Sequence, residues 1–236
     1  MSRSAFAVPA GLLAFAALGA VTLVRPAHAE TRSYAYTNFD EVDASAGVNV
    51  VLKQGPFSIS VDGDKQEVAR IVVEQHGSKL TVTHTHSVSW FGIGHHSVVT
   101  VTAPTYNAIS AHGGADIDTA DLSLGDVSLA ASGGADIRAL NLKVQALTVA
   151  ASGGADIKAT GSCTDLTATA SSGADYKGSD MKCQTADVRA SGGADADAWA
   201  SVSATGKASG GADVRIRGNP AKTDKTESGG GDVKIL

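Results

Sequence analysis

Three sets of side chains in this sequence have types and spacings that could carry chemistry: a series of aspartates, a group of histidines and a pair of cysteines. Asp116, Asp136, Asp156, Asp175, Asp195, Asp213 and Asp232 each close a Ser-Gly-Gly-Ala-Asp motif or a near copy of it, 18 to 20 residues apart. Carboxylates repeated beside glycines suit calcium, which solenoids built on Gly-Gly-x-Gly-x-Asp repeats bind. That class has a period of about nine residues and a second turn that these motifs lack. Two residues after each aspartate stand Asp118, Arg138, Lys158, Lys177, Asp197, Arg215 and Lys234, and five of those seven are basic. Carboxylates beside a mostly cationic column are expected to form an ion-pair ladder, which relieves their repulsion without a metal.

His84 and His86 stand two apart in a strand-like run, and His95 and His96 follow the segment Trp90-Phe91-Gly92-Ile93-Gly94. A hairpin centred near Phe91 would bring His86 opposite His95 or His96, and imidazoles gathered in this way suit zinc, copper or nickel. Without that hairpin they are polar surface residues. Cys163 and Cys183 are the only cysteines, and each lies twelve residues before the aspartate of its own repeat. Equivalent positions on stacked strands are about 4.8 Å apart, within reach of a disulfide. A structural bridge is expected, and the chain has no Cys-x-x-Cys to suggest a reactive pair.

The elements that must position these groups follow from the period itself. Nine, seven and five residues before successive aspartates stand Val127/Leu129/Ala131, Leu147/Val149/Ala151, Leu166/Ala168/Ala170 and Ala186/Val188/Ala190. Alanines precede the aspartates, and Ile117, Ile137, Ile157, Tyr176, Val214 and Val233 follow them. This is the alternation of β-strands, in two short rows per repeat joined at a glycine pair that can turn a corner. A unit this short cannot bury its own apolar face and must stack on its neighbours. The pattern predicts an all-β, parallel β-solenoid over 107–236. It is preceded by a strand-rich section over 30–106 whose Ser45-Ala46-Gly47-Val48-Asn49-Val50 is a degenerate repeat that begins the stack and caps it. Helix is not expected, and the last repeat is expected to offer an open strand edge for self-association.

Residues 1–29 have the parts of a secretory signal: Arg3, an apolar run from Leu12 to Val24, and Ala27-His28-Ala29 before Glu30. Cleavage there predicts an exported chain in the periplasm or at the cell surface, with no remaining transmembrane segment. The remainder has 17 basic minus 24 acidic side chains, a net charge of −7, which gives no reason to expect nucleic acid as a partner. Aromatic residues are only 5 % of the chain, too few for a sugar-stacking cleft, and the tight repeats leave little room for the long loops that build one.

Phe39-Asp-Glu-Val-Asp-Ala-Ser-Ala-Gly-Val-Asn-Val-Val-Leu, Gly77-Ser-Lys-Leu-Thr-Val and the serial Ser-Gly-Gly-Ala-Asp-Ile motifs resemble the bacterial GIN-domain family over about 37–236. Its members are labelled auto-transporter adhesin head domains. The resemblance implies a right-handed parallel β-helix on an exported protein, without assigned catalytic residues. The reading is therefore a non-enzymatic, cofactor-free cell-envelope module contacting a protein or glycan. The alternatives are a periplasmic zinc-, copper- or calcium-binding protein and, more remotely, a carbohydrate-active β-helix enzyme.

Overall fold

The computed structural model describes residues 29–85 and 97–236. In chain order the elements are β1 (Ala29–Tyr34), β2 (Glu41–Ser45), β3 (Asn49–Gln54), β4 (Ser58–Asp64), α1 (Lys65–Val68), β5 (Ile71–His76), β6 (Lys79–His84), β7 (Ser97–Ala103), β8 (Ala108–His112), β9 (Asp116–Ala120), β10 (Val127–Ser132), β11 (Asp136–Lys143), β12 (Ala146–Ser152), β13 (Asp156–Ser171), β14 (Asp175–Ser191), β15 (Asp195–Ser209), β16 (Asp213–Arg217), β17 (Lys222–Ser228) and β18 (Asp232–Ile235). They form a β-solenoid of about six turns. The one departure from β structure among the described residues is α1, a helical turn on which Val68 alone is buried.

Each regular coil has two faces. On the first, β8, β10, β12 and the second halves of β13, β14 and β15 run parallel and end at β17. On the second, β9, β11 and the first halves of β13, β14 and β15 continue through β16 to β18. The aspartates pair in exact sequence, Asp116 with Asp136, Asp136 with Asp156, and so on to Asp213 with Asp232. Between the faces lies the glycine corner, where both residues have positive φ. Its first position accepts Ala46 or Ser172, but its second is glycine in all eight copies, at φ from 71° to 80°. A left-handed conformation costs a side chain roughly 1–2 kcal/mol, so one exception per corner is tolerable and two in succession are avoided. The corner also keeps the ladder intact: Gly134 N–H donates to Gly153 O at 3.2 Å and Gly193 N–H to Gly210 O at 3.1 Å.

The expected inward rows are buried on both faces, from Leu129, Val149, Ala168 and Val188 to Ile117, Ile137, Ile157 and Val214. A third inward row, not anticipated from the repeat, closes the coil on its remaining side with Leu122, Leu142, Met181 and Cys183. The register shifts there, between Ala139 and Leu142, between Lys158 and Thr160, and again beyond Lys177. In the isoleucine row one coil carries Tyr176. Its bulk is accommodated by Ala196, its partner on the next strand, and by Gly178, where a Cβ would lie 2.2 Å from the tyrosine oxygen.

The N-terminal section is assembled out of chain order. β2 and β3 pair on one side with β8 and β9, matching Asn49 to Asp116, so the degenerate repeat is a true coil. On their other side lie β6 and β7, from later in the chain. The first coil is thus enclosed rather than terminal, and antiparallel strands β5 and β4, with β1 outside β4, finish the end. β6 pairs with β2 and β5, while β7 pairs with β3 and β4, so these two strands lie on different faces; the expected hairpin centred near Phe91 lies outside the described residues. At the other end, β17 sets Thr223, Lys225 and Glu227, all exposed, opposite the inward Ala204, Gly206 and Ala208 of β15. Glu227 Oε1 accepts from Val233 N–H at 3.0 Å and lies 3.4 Å from Lys225 Nζ. The expected edge is therefore present but bears inward-register charges, a device that discourages edge pairing.

The hydroxyl of Tyr176 is fully buried without a hydrogen-bond partner among the described residues. Burial alone pushes its acidity far outside the accessible range, so it stays neutral. Tyr176→Phe removes this unpaired donor and is expected to raise stability by about 1 kcal/mol, read as a higher urea midpoint at unchanged slope.

Candidate functional site

Alternation along each strand sends outward what lies between the buried rows, giving two surfaces of different chemistry. On the second face the aspartate column runs beside the column two residues on. Arg138 reaches Asp118 at 3.5 Å and Asp136 at 3.7 Å, and Lys177 bridges Asp156 at 2.7 Å and Asp175 at 3.3 Å. Arg215 meets Asp213 at 2.7 Å and Lys234 meets Asp232 at 2.8 Å. Side chains here are about half exposed, so solvent screens these pairs and each adds little to stability.

The two ends of the column differ. At Asp232 the hydrogen bond from Lys234 holds the carboxyl below the usual range, and that carboxylate in turn holds the ammonium above its own. At Asp116 partial desolvation, then the charge of Asp136, raise the carboxyl, which Arg138 offsets only in part. Among the described residues no group of three histidine, cysteine or acidic side chains is arranged to hold a metal ion.

The first face is built of small and hydroxylic side chains. A column of Ser132, Ser152, Ser171, Ser191, Ser209 and Ser228 runs beside one of Ala130, Ala150, Thr169, Arg189, Lys207 and Thr226. At its N-terminal end, His112 replaces serine. Its Nδ1 is hydrogen-bonded to Ser132 Oγ at 2.7 Å, and its Nε2 lies 3.8 Å from Asp43, whose other oxygen is 2.5 Å from Lys79 Nζ. Asp43 therefore raises the lysine above its usual range. This chain of side chains joins four stacked coils. It was not singled out from sequence, because Asp43, Lys79 and His112 are adjacent only through the out-of-order pairing at this end.

Of the histidine group, His86, His95 and His96 lie outside the described residues. His84 Nδ1 is 3.1 Å from the carbonyl oxygen of Ala46, at the first corner, and its Nε2 is buried without a partner among the described residues. The cysteines meet. Cys163 and Cys183 pair directly across β13 and β14 with Cα atoms 4.4 Å apart, and they are joined by a disulfide. Both point into the core, with exposures of 8 % and 1 %, so the bridge staples the third inward row rather than the surface.

The family described as putative auto-transporter adhesin, head GIN domain, matches residues 38–220. The chain belongs to the GIN-domain family. Three solved structures share the GIN fold with it. A putative adhesin from Bacteroides fragilis is 20 % identical, with TM-score 0.75 over 89 % of this chain and 98 % of that one. A protein described as a putative lipid binding protein from Parabacteroides distasonis is 14 % identical, with TM-score 0.65 over 89 % and 97 %. A putative adhesin from Parabacteroides merdae is also 14 % identical, with TM-score 0.64 over the same shares. No curated protein matches the sequence. Among the described residues no helix of this GIN domain is long and apolar enough to cross a membrane.

Two outcomes test this site. Replacing both cysteines by alanine is expected to cost about 3 kcal/mol, since the bridge closes a short loop, and calorimetry or urea melts will read it. Asp116→Asn is expected to raise stability at neutral pH. A carboxyl whose folded pKa is raised disfavours the fold when ionised, and the penalty fades as pH falls through that pKa. The gain over the unsubstituted protein will therefore shrink in urea melts taken down to about pH 3.

Proposed function

We propose that this GIN domain is an exported, non-catalytic interaction module of the cell envelope, adhesin-like in the sense of its family, whose outward solenoid faces are its contact surface. The observation that carries the reading is the first face. From β10 to β13 it presents Ser128, Ala130 and Ser132, then Thr148, Ala150 and Ser152, then Thr167, Thr169 and Ser171, all in register. Short side chains on strands held at one spacing give a flat, rigid array that needs little ordering on contact, so little conformational entropy is lost when a partner binds. Export is supported by the leader-like residues 1–29 and by the disulfide, since such bridges persist in oxidising compartments. A non-catalytic role is supported by the chemistry of the faces: their carboxylates are largely occupied by lysine and arginine, and the depressions on the first face are shallow and open.

The test has two arms. In cell fractionation, the chain is expected in the periplasmic or surface fraction with Cys163 and Cys183 oxidised. A cytoplasmic, reduced protein would overturn the assignment. Labelled protein is expected to bind envelope preparations, and Ala130→Arg with Ala150→Arg, which raises two long charged side chains from the flat array, is expected to weaken that binding by about tenfold or more. Undiminished binding would remove the first face as the contact surface.

A further inference from the structure

Along the first face, the column that carries Ser110, Ala130, Ala150 and Thr169 changes to Arg189 and Lys207 on the next two strands and returns to Thr226 on β17. Arg189 and Lys207 stand directly opposite each other on β14 and β15. Like charges so placed repel. The second face also sets cations opposite one another, Lys158 against Lys177, but beside an unbroken column of aspartates. Here one adjoining column is Ser191, Ser209 and Ser228, with no charge, and the other is Asp187, Thr205 and Asp224, in which the aspartates are not continuous. Arg189 Nη2 donates to Asp187 at 2.6 Å, whereas Lys207 has no ion-pair partner among the described residues. One of the two opposed cations is therefore free to meet an external anion, on a chain whose net charge is negative. The two cations and the three serines line an open depression of about 370 Å³.

We propose that this depression binds an acidic polysaccharide, with a sugar carboxylate seated between Arg189 and Lys207 and neighbouring sugar hydroxyls bonded to the serines. A carboxylate between the two cations removes their mutual repulsion and gains charge-assisted hydrogen bonds, from the guanidinium N–H groups that Asp187 leaves free and from the lysine ammonium. The depression is open, and the serine column continues from it through Ser171, Ser152 and Ser132 along the solenoid axis, so the surface suits an extended polymer better than an isolated anion. Its lining contains no aromatic ring, so recognition is through charge and hydroxyl groups rather than ring stacking. The proposal rests on the contact-surface reading above and gives that surface a ligand class.

The full chain is titrated calorimetrically, in the presence of a chelator, with polygalacturonate as a linear polyuronate, with neutral dextran, and with inorganic sulfate as competitor. Polygalacturonate is expected to bind and dextran not to. The double variant Arg189→Ala/Lys207→Ala is expected to lose about tenfold or more in affinity, against less than about twofold for Arg138→Ala/Lys158→Ala on the opposite face. Absence of binding, equal loss in both variants, or equal binding of dextran would overturn the proposal. Complete displacement by sulfate at matched charge would do so too, leaving only a simple anion site. The envelope-binding assay separates the two readings. If the unsubstituted chain binds envelopes but not polygalacturonate, this proposal falls and the contact surface stands. If it binds polygalacturonate but no envelope material, the depression stands and the envelope assignment falls.

Discussion

The interaction on which everything else depends is the parallel backbone ladder between coils, which runs along the faces and is continued by hydrogen bonds at several of the corners. Stacked strands lie about 4.8 Å apart, and that spacing recurs wherever equivalent side chains meet. It brings Cys163 to Cys183, sets each aspartate above the next, and lines up the serine column. The ladder survives the corner because paired residues of positive φ reverse the chain while their N–H groups still reach the carbonyls of the next corner. Had the turn been made by a longer loop, coils could slip relative to one another. With the glycine pair, the columns on the two faces that flank it stay in register while the period varies on the third side.

A straight column is an electrostatic liability when it is charged, and the two faces deal with this differently. On the second face the carboxylates are set beside lysine and arginine, so that repulsion along one column is relieved by attraction to the next. At Asp116 the carboxyl is raised first by partial desolvation and then by Asp136, with a smaller push from Asp118, which stands where other coils carry a cation. The first face avoids the problem over most of its length by carrying hydroxyls and methyl groups. Repulsion is concentrated at Arg189 and Lys207, and a chain that could have placed Thr or Ala there, as its other coils do, instead opposes two cations.

Much of this was legible in the sequence because the repeat is exact where the backbone demands it. The glycine corner, the alternating rows and the cysteine register all follow from counting back from an aspartate. The third inward row was not anticipated, although Leu122, Leu142 and Met181 each stand fourteen residues before an aspartate: Gly161 interrupts the apolar series and the register slips near Ala139, Lys158 and Lys177. The strands of the N-terminal section were recognisable one by one, as at Asn49–Gln54 and Lys79–His84, but their neighbours were not. A strand states which of its sides is apolar, not which strand lies beside it, so the placing of β6 beside β2 and of β7 beside β3 could not be read from the chain. The same limit hid the contact between Asp43, Lys79 and His112.

The enclosed position of the first coil has a consequence for the order in which the molecule can be made. The central repeats pair with the segment just before them, so each can add to a growing stack as soon as it is synthesised or emerges from a translocation channel. The strands of the first coil cannot do this. β2 has no lasting partner until β6 and β8 exist on its two flanks, and β3 waits in the same way for β7 and β9. Its loop-closure entropy is thus met late, by contacts far apart in sequence, while the repeats close theirs locally. The first coil must wait for strands far along the chain on both its flanks, whereas each central repeat finds its neighbour within one period.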